Sequence, residues 1–263
     1  MAHALTGIDA HASPQIRKIH VADIKDALAK GIDDFLSMPS YAIFLSLIYP
    51  IVGLLLVRIA IGRAVMPLVF PIMAGFALVG PFAALGFYER SRRREQHLAC
   101  STGQVIRSLL QSPSLGDIAA LGLCLTAVFL FWLIVAQAIY QLNFGYAAPE
   151  WTQFLRDLFT TSAGWTLIVV GNGVGFLFAL LVLAVGVVSF PLLLDRPVGL
   201  SAAVWTSCRV VAANPVAMAV WGLVVTASLV LGSVPLLFGL AVVVPVLGHS
   251  TWHLYRRVVV ASD

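Results

Sequence analysis

The sequence predicts an all-α, polytopic membrane protein with six transmembrane helices. Three observations carry that prediction. Hydrophobic residues make up 60% of the 263 positions and charged residues only 11%, where an ordinary soluble domain has about 25% charged. Mean hydropathy is +0.96. The few charges are also not spread out: they bound long charge-free runs. Together these exclude a soluble globular domain, a disordered chain and a disulfide scaffold.

Residues 1–20 are expected to form a flexible N-terminal segment, residues 21–257 the membrane domain and 258–263 a short tail. The first 39 residues carry Asp9, Arg17, Lys18, Asp23, Lys25, Asp26, Lys30, Asp33 and Asp34. A cleavable signal peptide is shorter and less polar, so this stretch is expected outside the bilayer. Within it Val21, Ile24, Leu28, Ile32 and Phe35 make the apolar stripe of an amphipathic helix.

The spans follow from the charge-free runs Phe35–Val57, Ala64–Tyr88, Ile118–Pro149, Leu158–Leu194 and Val210–Gly248. One helical span needs about 20 apolar residues, so the first four runs supply one each. The last continues its apolar character through His249 and His253 to Tyr255 and is long enough for two. The expected spans lie near 40–57, 64–87, 118–140, 165–190, 215–232 and 234–255, with Gly232-Ser233-Val234-Pro235 as the turn between the last two. Helices are the reading because backbone groups in lipid must be satisfied within the segment.

Six spans place both termini on one side. That side collects Arg17, Lys18, Lys25, Lys30, Arg90, Arg92, Arg93, Arg94, Arg107, Arg196, Arg209, Arg256 and Arg257, which is 13; the other has Arg58, Arg63 and Arg156, which is 3. The excess of positive charge marks the cytoplasmic side. Opposite it, Trp151, Phe154, Leu155, Leu158 and Phe159 fall on one helical face. Pro149 suits the first position of that short surface helix, and Glu150 its positive end.

The chain reads as three related units of surface helix, X-Pro corner, span and span. The corners are Met38-Pro39, Ser112-Pro113 and Asn214-Pro215. Proline disfavours helix at the preceding residue, which turns the chain from the surface into the bilayer. Ser101-Thr102-Gly103-Gln104 has the form of a capping box for the second surface helix, and Ser201 is the expected cap of the third.

Several polar or aromatic stretches resemble a bacterial family of predicted integral membrane proteins of unknown function. They are Gly75–Pro81, Gly86–Arg92, Ser189–Arg196, Ala213-Asn214-Pro215 and Gly248–Arg257. The resemblance implies six spans and a bacterial inner membrane, and it implies no chemistry. Some members of that family carry a cytochrome c oxidase label. The residues lend it no support: haem between spans needs buried axial ligands, and no histidine lies in spans one to five.

Three groups stand out as candidate sites. Gly171, Asn172 and Gly175 sit inside the fourth span with GxxxG spacing, which lets helices approach closely; they are expected to face a neighbouring helix, with Asn172 turned into the bundle. His249, Trp252, His253, Tyr255 and Arg256 are expected to anchor the last helix at the cytoplasmic interface. Two histidines four residues apart share a face, but two ligands do not close a metal site. Arg90, Arg92, Arg93 and Arg94 form a basic cluster that stops the second span and suits anionic headgroups. Cys100, Cys124 and Cys208 show no paired spacing.

No Asp or Glu lies mid-span, and no nucleophile elbow, P-loop, HExxH or carboxylate pair is present. The expectation is therefore a protein that is not an enzyme, with no cofactor, metal or nucleic acid. Its partners are the lipid bilayer and other membrane proteins. The leading role is a scaffold or accessory factor in the inner membrane. The alternative is a channel or facilitator for a small solute.

Overall fold

The computed structural model describes residues 14–38, 51, 71–72, 84–146, 150–235 and 237–260. Expected span one, apart from residue 51, and most of span two therefore lie outside the described residues, as do Arg58, Arg63, Pro149 and the Gly75–Pro81 signature.

The described helices are α1 Val21–Ser37, α2 Leu85–Glu95, α3 Thr102–Leu110, α4 Leu115–Phe144, α5 Trp151–Thr160, α6 Ser162–Gly186, α7 Ser189–Asp195, α8 Leu200–Ala213, α9 Pro215–Ser233 and α10 Leu240–Val258. Among the described residues, three helical stretches are long and apolar enough to cross a membrane: Leu115–Phe144, Ser162–Asp195 and Pro215–Ser233. They match expected spans three, four and five. Helix α10 does not reach that measure, because its second half carries His249, His253, Arg256 and Arg257.

Local signals set most helix ends. Ser101 Oγ accepts from Gln104 N at 3.4 Å while Gln104 Oε1 accepts from Ser101 N at 3.2 Å, so the expected capping box opens α3. Helix α5 begins at Trp151, two residues later than Pro149 suggested, with Glu150 as its N-cap. Ser201 does not cap α8; Gly199 does, at φ 81, because only glycine takes that backbone conformation without strain. The chain turns after Ser233 as expected. The pattern helix, X-Pro, span occurs at α3–α4 and again at α8–α9.

The core is centred on the charged end of the molecule. Phe87, Phe190, Leu192, Leu193, Trp221, Trp252, Tyr255 and Val258 are all essentially buried. Helix α1 lies along the second half of α10, with α2 and α9 also against α10. The buried face of α1 is Ile24, Ala27, Gly31, Asp34 and Phe35, while Val21 and Ile32 from the expected stripe are exposed. Small residues displace large ones there because α1 and α10 approach closely. The two described ends of the chain also meet: Arg17 N donates to Val258 O at 2.8 Å and Val260 N to Gln15 O at 3.0 Å. By contrast, the long helices α4, α6 and α9 present Leu123, Ile134, Val169, Phe176, Leu177, Leu223 and Leu231 outward.

Candidate functional site

Helices α1, α2 and α10 each contribute polar side chains to one buried knot. Asp34 of α1 is 3% exposed. Its Oδ2 accepts from Ser91 Oγ of α2 at 2.5 Å and lies 2.8 Å from His253 Nε2 of α10. Arg94 donates to its other oxygen, Oδ1, and also pairs with Asp33 at 2.8 Å. Ser91 Oγ is in turn 2.8 Å from His249 Nδ1. A hydroxyl has one proton, and Ser91 gives it to Asp34, so the assigned tautomer of His249 donates from Nδ1. That leaves His249 Nε2 fully buried with no hydrogen-bond partner, its ring edge-on to Phe87 at 5.4 Å.

Burial alone would push the Asp34 carboxyl up. Hydrogen bonds from His253, Ser91 and Arg94, with the charge of His253, outweigh burial and hold it well below the usual carboxylate range. Arg94 is correspondingly held above the ordinary guanidinium value, first through its hydrogen bond to Asp34. A carboxylate saturated by donors is a structural anchor and a poor general base. The knot borders an open depression of about 230 Å³ lined by Lys30, Asp33, Asp34, Ser91, Arg94, Glu95 and His253.

Two further sets of polar contacts flank it. Glu89 is fully buried and ion-paired with Arg92 at 2.8 Å and Arg93 at 3.5 Å. Asp195 Oδ2 accepts from the Tyr255 hydroxyl at 2.6 Å, with Arg196 and Arg256 within 3.6 Å. Glu95 accepts from Trp252 Nε1 at 3.0 Å and Arg256 Nε at 3.1 Å.

These contacts change the reading of two expected sites. Arg90, Arg92, Arg93 and Arg94 are not a solvent-facing basic cluster. Arg90 is 4% exposed and donates to Thr102 Oγ1, Arg93 donates to Ala99 O at 2.7 Å, and Arg92 donates to Leu194 O at 2.9 Å. Glu89 draws Arg92 and Arg93 inward, and Asp34 draws Arg94. Likewise His249, Trp252 and Tyr255 are not presented at a surface. All three are buried, while His253 and Arg256 remain partly exposed.

The Gly171 group divides. A Cβ on Gly175 would sit 3.1 Å from Trp132 Cη2 of α4, so this glycine does pack against a neighbour. Gly171 has no such described neighbour within 4 Å. Asn172 is exposed and not turned into the bundle. Its Nδ2 donates to Ile168 O of its own helix at 2.7 Å, which removes the need for a second helix.

Asp34, Ser91, Glu89 and Asn214 were missed as site residues by reading the sequence. The available signal for Asp34 was helical spacing, since it shares a face with Ala27 and Gly31. Nothing in the sequence pairs Ser91 with residue 249. Among the described residues, no three or more His, Cys, Asp or Glu side chains are grouped to hold a metal ion.

Residues 69–195 match a family described as predicted integral membrane protein (DUF2189). No curated protein and no solved structure matches the chain. The match over residues 69–195 and the apolar helices together support an integral membrane protein.

Proposed function

We propose that the protein is a non-catalytic scaffold or accessory factor of the bacterial inner membrane, with six spans in three related units and both termini in the cytoplasm. One observation carries the reading. The polar side chains of the described region bind one another in a knot at one end, while the long helices offer an apolar outer surface. Polar groups committed to internal partners are not free to line a solute path, and the mid-span amide of Asn172 is committed to its own backbone. Apolar surface at membrane depth is matched by lipid or by the packed face of another membrane protein.

The contact between residues 15–17 and 258–260 supports termini on one side, and the 13-to-3 division of Lys and Arg supports the cytoplasm. Reporter fusions after Asp263 and within residues 141–164 are expected on opposite sides; the same side for both overturns the six-span topology. For the role itself, photocrosslinking side chains at Leu123, Leu177 and Leu223 test the outer surface in native membranes. Adducts with a distinct membrane protein from at least one site are expected, together with no solute flux in vesicles beyond empty controls. Lipid adducts alone at all three sites, or measurable flux, overturn the scaffold role.

A further inference from the structure

We infer that a cavity between α2, α3, α4 and α7 is a binding site for a phosphate group, and that an anionic phospholipid headgroup supplies it. The inference rests on the membrane reading and is independent of the scaffold role. The cavity measures about 260 Å³ and is lined by Arg92, Ser108, Gln111, Ser112, Ser114 and Arg196, with Leu193–Asp195 at the end of α7 and two prolines completing its wall.

Depth favours a headgroup. The apolar stretch Leu115–Phe144 begins at this cavity and the stretch Ser162–Asp195 ends at it. A pocket at the boundary of two spans lies at headgroup level. Chemistry favours an anion. Arg92 lines the cavity with a partly exposed guanidinium, held in place by Leu194 O, Ser108 Oγ and its ion pair with Glu89 at 2.8 Å. Arginine carries five N–H groups in a fork that suits phosphate oxygens. Arg196 donates one to Val260 O, lies 3.5 Å from Asp195 through Nε, and is part of the cavity lining. Hydroxyls of Ser108, Ser112 and Ser114 and the Gln111 amide add uncharged donors.

The charges are also uneven. Asp195 in the wall opposes an anion, but it is shared by Arg196 and Arg256 and accepts the Tyr255 hydroxyl. Glu89 is shared by Arg92 and Arg93, and Glu95 is paired with Arg256. In the lining itself two guanidiniums, Arg92 and Arg196, stand against one carboxylate, Asp195. Basic pockets of this kind at span ends hold lipid phosphates. Beside it, Ile106, Leu110 and Leu115 are exposed, Leu110 to 65%. An acyl chain has an apolar surface to follow from the same pocket, which a free phosphate would not use.

The test uses the full chain purified in neutral detergent. Thermal unfolding and native mass spectrometry are read with phosphatidylglycerol vesicles, phosphatidylcholine vesicles or inorganic phosphate added. Phosphatidylglycerol is expected to raise the unfolding temperature and to remain as a bound adduct, with phosphatidylcholine doing neither. A rise with inorganic phosphate alone would support the anion site and assign its ligand as free phosphate. Arg196→Gln is expected to weaken phosphatidylglycerol binding about tenfold, the loss of roughly one charge-assisted contact, while Arg209→Gln, away from the cavity, leaves it intact. Ser112→Ala provides a milder second variant, expected to weaken binding in the same direction. Equal effects of the two lipids on the native chain with no effect of phosphate, or undiminished binding in both cavity variants, overturn the proposal.

Discussion

Gly31 of α1 and Ser250 of α10 meet backbone to backbone. A Cβ on Gly31 would lie 2.6 Å from Ser250 N and 2.8 Å from Ser250 Cα, closer than carbon can approach. Ser250 is itself fully buried and donates its hydroxyl to Val246 O at 2.7 Å. This contact sets how near α1 comes to α10, and so brings Asp34 within reach of His253.

Gly31→Ala is therefore expected to push α1 off α10. Overpacking of this kind costs about 1–3 kcal/mol, and the backbone atoms of Ser250 cannot rotate away. Proteolysis within residues 21–37 should accelerate at a temperature where the native chain is protected. Unchanged protection would show that α1 docks without this contact.

Asp34 makes the docking of α1 depend on pH. Its carboxyl is held below the usual range in the folded chain, so the unfolded state binds the proton more readily. The stabilisation is present above the unfolded carboxylate value, about 3.9, and is lost as pH falls toward the lower folded value. Asp34→Ala leaves Arg94 and His253 without their shared anion and is expected to cost about 3 kcal/mol at neutral pH. Asp34→Asn should flatten the acid limb of stability measured in detergent; a limb identical to that of the native chain would contradict the assignment.

Asn214 ties the N-terminal segment to the corner between α8 and α9. Its Oδ1 accepts from Ile19 N at 2.8 Å and its Nδ2 donates to Val210 O at 3.2 Å and Arg17 O at 3.4 Å. Asn214→Ala leaves the Ile19 N–H without its acceptor and is expected to cost about 1–3 kcal/mol. Asn214→Asp keeps that acceptor but buries a charge and sets an oxygen against the Val210 and Arg17 carbonyls, so it should destabilise at least as much as alanine. Hydrogen exchange at Ile19 reads the effect directly.

The glycines of α6 should respond unequally. Gly175→Leu drives a large side chain into Trp132 and should lower thermal stability by several degrees, since about 1 kcal/mol shifts a midpoint by roughly 2–4 °C in a chain of this size. Gly171→Leu and Asn172→Leu should change it little, because neither meets a described neighbour across the helix interface. Comparable losses in all three variants would contradict the exposed placement of Asn172.

Local sequence sufficed for the membrane class, three candidate spans, the amphipathic helix at Trp151–Thr160, the capping box at Ser101 and the corner at Asn214-Pro215. These are written in local composition, helical period and the steric rule for proline, all legible within about 20 residues. The polar knot could not be read that way. Asp34, Ser91 and His249 are separated by 57 and 158 residues along the chain, and single-sequence periodicity carries no information about which helices become neighbours. The arginines of α2 illustrate the reason. As a run they look like a surface cluster, but buried Glu89 and Asp34 recruit them inward. A buried charge needs a partner wherever the fold provides one, and only the tertiary packing of α1, α2 and α10 decides which that is.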